Sequence, residues 1–302
     1  MNFIYVTDLH LSDRQPINRV TPVVESGLYK LEWVLKKAYE TQSILLIGGD
    51  FFHSPCPSMD LLNKIISLFI KYPVTAYMVL GNHDTYGNTE QLDDTAIQIL
   101  FNTGLIKQLT NRQPLELGNF VFMAIPYYKR TDEEKEFNKI NGYPFNFGAF
   151  ARAYKSKKKV LIAHMPFVTK PAMYEHILLS DIKTDANLVL CGHIHQPFRV
   201  KIGSTVFYNP GCFIRRAKNE KDQEVKYLFF SDTEFKEGVV PVPVPEFNSV
   251  DVEEAAAITV LEEKIEIPDL EAKILASDQP QDVKDRCLLL LKNAQAKFNE
   301  KS

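Results

Sequence analysis

Apolar residues in this chain fall into two alternating patterns. Short continuous runs, "FIYV" from Phe3, "ILLI" before Gly48, "VTAYMVL" before Gly81, "KKVLIA" before His164 and "LVLC" before Gly192, read as strands buried on both faces. Longer stretches with helical spacing lie between them. "TPVVESGLYKLEWVLKKAYE" opens with Thr21 as a candidate N-cap and Pro22 in the first turn. "SMDLLNKIISLFIKY" starts at Ser58 and stops before Pro73, and "TEQLDDTAIQILFNTG" runs from Thr89 with early acids and Gly104 near its end. Strand and helix in alternation predict an α/β fold. Past His195, "RVKIGSTVFYNPGCFIRR" and "KYLFFSDTEF" predict shorter, antiparallel strands. "AMYEHILLS" is helix-like, and its His176 is expected to be structural.

Alternate prolines in "VVPVPVPEF" cannot donate to a central ladder, so residues 239–250 form an edge segment or linker. An acidic extension, 251–302, follows. It ends in "DVKDRCLLLLKNAQAKF", where Val283, Cys287, Leu288, Leu290, Leu291 and Ala294 give one broad apolar stripe. Such a helix packs on its own domain or docks on another protein. The main α/β body is expected over 1–238.

Composition narrows the class. The 302 residues are 45% hydrophobic and 24% charged, ordinary for a globular protein. No apolar run approaches the ~20 residues that span a bilayer. The first residues lack a basic region and a long apolar run, so a cytoplasmic location without membrane contact is expected. Four scattered cysteines without CxxC spacing predict reduced thiols. A net charge of −3 does not by itself mark a nucleic-acid binder. Twelve acids against seven Lys/Arg put −5 on residues 251–302, so the first 250 residues carry +2 (−3 minus −5). Basic clusters stand at Lys155, Lys157, Lys158 and Lys159 and at Arg215, Arg216 and Lys218, and are expected to be solvated faces.

The chemistry lies where the strands end. Ligands in α/β sheets sit beyond the carboxyl ends of strands. Five such ends carry Asp8 and His10, Asp50, Asn82 and His83, His164, and His193 and His195, so five of the seven histidines fall there. Gly192 is expected to let the backbone turn where a Cβ would obstruct it. A desolvated cluster of this size is costly without a cation. Two Asp, one Asn and at least four His exceed the needs of one tetrahedral zinc and suit two divalent ions sharing a bridge. Asp50 is the natural bridge. Two ions about 3.5–4 Å apart clamp the attacking and leaving oxygens of an in-line displacement and bring a bound water's pKa to about 7. That chemistry points to phosphate ester hydrolysis.

"DLH", "GGD", "GNHD", "AHMP" and "GHIH", in this order, resemble the five motifs of the calcineurin-like metallophosphoesterases over residues 1 to about 215. The resemblance implies a four-layer α/β/β/α sandwich as the catalytic domain. It implies that Asp8, His10 and His195 hold one metal, that Asn82, His164 and His193 hold the other, and that Asp50 bridges. His83, hydrogen-bonded by Asp84, would then donate to the phosphate or protonate the leaving oxygen.

Within that superfamily the layout, with "DLHLS", "GGDFFHSP" and "NPGCFIRR", most resembles SbcD-type DNA-repair exonucleases. That implies DNA as substrate, manganese as the preferred metal (magnesium, iron or zinc as alternatives), an SbcC-type ATPase partner and a homodimer. His53 stands where that pattern has Asp, and is read as a surface loop residue; Cys212 replaces its Ser. Residues beyond the catalytic body stand where fuller members carry a DNA-capping domain. Two other readings compete: a phosphodiesterase or phosphatase for small molecules or phosphoproteins, and a non-catalytic metal-bound scaffold. Retention of His83 opposes the scaffold.

Overall fold

Phe3 and Tyr5 point to one side of the first strand, and Ile4 and Val6 to the other. Both sides are buried, which is why the run is continuously apolar rather than alternating. The computed structural model describes residues 1–17, 19–86, 92–145 and 153–247, with positions 275 and 284. The chain divides into Met1–Asn248 and Ser249–Ser302. The C-terminal helix expected in the second unit lies outside the described residues, as does most of the acidic extension.

In chain order the elements are β1 (Asn2–Val6), α1 (Val23–Glu40), β2 (Ser43–Ile47), α2 (Met59–Lys71), β3 (Ala76–Met78), α3 (Ala96–Asn102), β4 (Lys107–Gln108), β5 (Leu115–Leu117), β6 (Phe120–Ile125) and α4 (Asp132–Asn141). There follow β7 (Tyr143–Pro144), β8 (Lys158–His164), β9 (Phe167–Val168), β10 (Ile177–Leu178), β11 (Ile182–Lys183), β12 (Leu188–Gly192), β13 (Phe198–Ile202), β14 (Thr205–Asn209), β15 (Lys226–Phe230) and β16 (Phe235–Val239). One six-stranded sheet has the order β16-β15-β1-β2-β3-β4, the other β13-β14-β12-β8-β6-β5. In the first, β1 to β4 are parallel and β15 and β16 antiparallel. In the second, β14, β12, β8 and β6 are parallel and the two edges antiparallel.

Three apolar layers hold the sheets. Between them, Phe3 and Tyr5 meet Phe120, Phe122, Val160, Ile162, Leu190 and Phe230; the Phe3 and Phe230 rings stack at 5.0 Å. On the outer face of the first sheet, Ile4, Val6, Leu45 and Ile47 pack against Leu31, Leu35, Leu61 and Ile65 of α1 and α2. On the outer face of the second, Met123, Leu161, Val189 and Cys191 are covered by Tyr143, Phe167, Ile177 and Leu179, much of it from the short pairs β7–β11 and β9–β10. The result is the four-layer α/β fold. No described helix is long and apolar enough to cross a membrane.

Three local expectations are corrected. Thr21 does not cap α1; the N-cap is Pro22 without a side-chain bond, and the Thr21 hydroxyl donates to the Pro245 carbonyl at 2.5 Å. The α3 helix begins at Ala96 rather than after Thr89, because Thr95 supplies the cap by accepting from the Gln98 N–H. The stretch around His176 is irregular before β10 rather than helical.

Residues 240–247 lie against the body, with Val240 in the core and one carboxylate at the centre of the polar contacts. Buried Glu246 is met by Lys30 Nζ at 2.7 Å, Arg19 Nη2 at 2.9 Å and Arg215 Nη2 at 2.8 Å, and by the Ser26 hydroxyl. Burial raises the Glu246 pKa, but Lys30 first, then the Ser26 hydroxyl and Arg19, outweigh it and hold the carboxyl down at about 2. Burial brings Lys30 down to about 8 against the pull of Glu246.

Candidate metal centre

Parallel strands from both sheets end at one place. Just past β1 the chain carries Asp8 and His10, past β2 Asp50, past β3 Asn82 and His83, and past β12 His193 and His195, while His164 closes β8. The β1 and β2 loops stay paired beyond the sheet: Asp8 N–H donates to the Gly49 carbonyl at 3.1 Å and His10 N–H to the Asp50 carbonyl at 2.9 Å. Among the described residues, four of the six with positive φ other than glycine lie here: Asp8 (52°), His10 (44°), Asp50 (51°) and His193 (79°). Each costs about 1–3 kcal/mol, and hydrogen bonds hold them. The His193 N–H donates to both Asp8 oxygens at 3.1 Å, and the His83 N–H to Asp50 Oδ1 at 2.8 Å. Gly192 acts differently from the expectation. It remains in the strand, and the reversed φ falls on His193; a Cβ on Gly192 would lie 2.3 Å from Thr7 Oγ1 and 2.6 Å from the Gly48 carbonyl.

Two groups of ligand atoms converge. Those of Asp8, His10 and His195 lie within 4.8 Å of one another, as do those of Asp50, His164 and His193. Asn82 Oδ1 joins the second at 2.8 Å from His193 Nδ1. Asp50 Oδ2 stands between the groups, 3.6 Å from His10 Nε2 and 3.3 Å from His164 Nε2.

Outer contacts set the tautomers. His164 Nδ1 sits 2.6 Å from the Gly48 carbonyl, which can only accept, so Nδ1 holds the proton and Nε2 is aimed at Asp50. His195 Nδ1 is 2.5 Å from buried Glu220, which turns the Nε2 lone pair toward His10 Nε2 at 3.0 Å. Lone pairs and carboxylate oxygens thus crowd one volume, and buried His164 Nε2 has no hydrogen-bond partner. A donor set of this kind, acceptors without internal counter-charge, fits divalent cations.

The electrostatics agree. Burial raises the Asp50 pKa, but His164 and His10 outweigh it and keep the carboxyl ionised far below its ordinary range. Burial lowers His164, yet Asp50 drives it up to about 9. Burial, then the His164 charge, takes His193 down to about 3.

Asp84 does not orient His83. Its carboxylate accepts the backbone N–H groups of Asp50, Phe51 and Gly81 at 2.9 Å each. The first two belong to the left-handed turn at Asp50, so Asp84 shapes the metal loop. Burial, then Asp50, pushes Asp84 up to about 7. His83 Nδ1 instead meets the His53 carbonyl at 2.9 Å. His53 is not a surface residue either. Its ring stacks on His83 at 5.0 Å and lies 5.4 Å from that of His10. Burial, then Arg216, lowers it to about 4. Sequence reasoning missed Glu220 and Tyr127, whose ring lies 5.0 Å from that of His193. His53 was within reach, three residues past Asp50 in "GGDFFH"; "AKNEKDQE" carries no local sign that Glu220 faces His195.

Residues 1–197 match the family described as calcineurin-like phosphoesterase. The chain belongs to that family. Its members are metal-dependent phosphoester hydrolases with a dinuclear centre, and the two groups at Asp50 are this chain's candidates for it. The chain is similar to the double-strand break repair protein MRE11 of Encephalitozoon cuniculi, 24% identical over 263 residues. The match covers 76% of this chain and 45% of that protein, so the chain spans about half the length of this curated relative. Among solved structures, a dimetal phosphatase from Danio rerio superposes with a TM-score of 0.51 at 11% identity, over 80% of this chain and 99% of that one. A putative 5'-nucleotidase from Staphylococcus aureus gives 0.47 at 14% identity, over 87% and 58%.

Proposed function

We propose that this phosphoesterase is a nuclease hydrolysing phosphodiester bonds of DNA. Asp8, His10 and His195 hold one divalent ion, Asn82, His164 and His193 the second, and Asp50 bridges them. The observation that carries the assignment is the meeting of two acceptor-only groups at one buried carboxylate. Bound there, manganese or another divalent pair supplies Lewis-acid charge and a hydroxide nucleophile at neutral pH. Glu220 and the Gly48 carbonyl hold the imidazoles of His195 and His164 in the ligating tautomer. His83, anchored through Nδ1, presents Nε2 to the phosphate or the leaving oxygen as hydrogen-bond donor or acid.

The likeness to a double-strand break repair protein supports DNA as the substrate. An SbcC-type ATPase or a second copy of this chain is the proposed partner, docking on the leucine-rich segment 281–302, for which the sequence predicts a helix. Deleting 281–302 is expected to spare hydrolysis of small diesters and abolish co-purification with the partner; an unfolded catalytic body would overturn the docking role.

One observation favours a small-molecule phosphoesterase instead. The basic run offers no continuous cationic face, since Lys157 pairs with Glu116, Lys158 with Asp232 and Lys159 with Asp185. Manganese-loaded protein given bis-p-nitrophenyl phosphate, p-nitrophenyl phosphate and single-stranded DNA separates the readings. A nuclease cleaves the DNA and the diester; turnover of the monoester with the DNA untouched would overturn that reading.

A further inference from the structure

The second basic cluster, Arg215, Arg216 and Lys218, is not uniform. Arg215 is consumed by Glu246 and by the carbonyls of Lys221 and Gln223. Lys218 is exposed. Arg216 is half-buried and is tied to the edge of the metal centre through Glu220, the residue that meets His195.

Several bonds fix it there. The Arg216 N–H donates to Glu220 Oε2 at 2.6 Å, while Glu220 Oε1 takes His195 Nδ1. Nη2 donates to the Arg14 carbonyl at 3.2 Å, four residues beyond His10. In the same loop the Leu11 carbonyl accepts the His53 N–H at 3.1 Å. The guanidinium therefore lies beside the loop after β1 that carries His10 and that the His53 backbone bonds from the loop after β2, and its charge is among the causes that lower the His53 pKa.

What it lacks is an acceptor. Nη1 is buried without a hydrogen-bond partner among the described residues. Glu220, the acid beside it, has its oxygens turned to His195 and to the backbone N–H groups of Arg216 and Ala217. Arginine cannot shed its charge. A buried N–H donor without a partner is unfavourable, and here it belongs to a cation beside the ring of His53. A phosphate oxygen meets both needs, because the planar guanidinium fork matches phosphate geometry.

We propose that Arg216 is a substrate-positioning residue that binds the phosphate next to the scissile one along the strand. The proposal rests on the nuclease reading. Bonds to the Arg14 carbonyl and to Glu220 hold Arg216 beside the candidate ligands rather than among them, which suits the neighbouring phosphate rather than the scissile one. Glu220 links the two tasks: one oxygen orients a metal histidine, the other the backbone of the phosphate reader. Lys218 and Arg14, both exposed, add positive charge along the same path.

The test compares substrates with and without that second phosphate. Manganese-loaded wild type, Arg216→Gln and Arg216→Lys are assayed on bis-p-nitrophenyl phosphate, on the dinucleotide TpT, and on TpT phosphorylated at its 5′ end or at its 3′ end. Arg216→Gln is expected to raise KM for one of the two phosphorylated forms about tenfold or more. Its kcat, and its KM for the two single-phosphate substrates, should match wild type. Arg216→Lys should recover part of the lost affinity, since it keeps the charge without the fork. Metal stoichiometry and melting temperature, measured on each variant, should be unchanged. Equal losses on all substrates, or no KM change on either phosphorylated form, would overturn the proposal. If Arg216→Gln does not fold, Arg216→Lys decides: wild-type KM values on every substrate would overturn it. Wild type that hydrolyses the nitrophenyl diester but no dinucleotide would overturn the nuclease reading first, and this inference with it.

Discussion

Two buried charge clusters lie on either side of the segment 209–216. Around Glu246, one carboxylate meets Lys30, Arg19 and Arg215, so its counter-charge comes from the chain itself. Around Asp50, carboxylates meet imidazoles whose lone pairs point inward, and no lysine or arginine reaches Asp50 or Asp8 within 4 Å among the described residues. Both bury a carboxylate that stays ionised. The difference separates a clamp from a metal centre. A buried anion with internal cations is complete, whereas one facing acceptors alone needs a cation from outside. The 213–216 loop touches both: Phe213 N–H donates to the Asp8 carbonyl at 3.0 Å, while Arg215 pairs with Glu246.

The strongest way to break this contrast is Asp50→Ala. With the shared anion gone, both ions face uncompensated like charge. Turnover is expected to vanish, with at least one metal lost per chain by elemental analysis. Two metals still bound would remove Asp50 from the bridge.

His83→Ala should act on rate alone. One positioned acid contributes about 10²–10⁴-fold, so kcat should fall by that much with both metals and the fold retained. Lost metal would make His83 a ligand.

Glu246→Gln should do the reverse. It leaves three buried cations without their anion, which costs about 3–5 kcal/mol, read by urea unfolding, with metal content unchanged. The sign with pH follows from the depressed carboxyl. Wild type should lose the Glu246 contribution as pH falls from the ordinary 4.5 to about 2, where the folded carboxylate takes its proton. The variant should lack that part of the acid destabilisation. A variant that loses metal at unchanged stability would merge the two clusters into one functional unit.

The smallest effect is expected at Glu220→Gln. Supports of this kind are worth about 10–100-fold in metal affinity, and on the proposed assignment the loss should fall on the ion at His195 and spare the one at His164. Equal weakening of both ions would erase the distinction between the two halves of the centre.

The candidate ligands were legible because each follows an apolar run within a few residues, so one local pattern announced both strand and site. Readings failed where a partner came from far along the chain or where side-chain direction mattered. Thr21 looked like a cap because Pro245, 224 positions away, is invisible to local pattern. Asp84 is adjacent to His83, yet its side chain turns to the Asp50 loop and that of His83 to the His53 carbonyl. His53 looked like a loop residue because the stacking on His83 that draws it inward is a tertiary contact.

The sequence by itself determined the α/β class, the strands that end at the centre and the kind of atoms gathered there, since these depend on hydrophobic period and residue chemistry within short windows. It took the tertiary structure to show which oxygen supports which imidazole, that Arg215 is spent on a clamp while Arg216 Nη1 is left without a partner among the described residues, and that the left-handed strain falls on His193 rather than on Gly192. Those outcomes depend on distances and directions between segments up to two hundred residues apart, and a linear pattern does not carry directions.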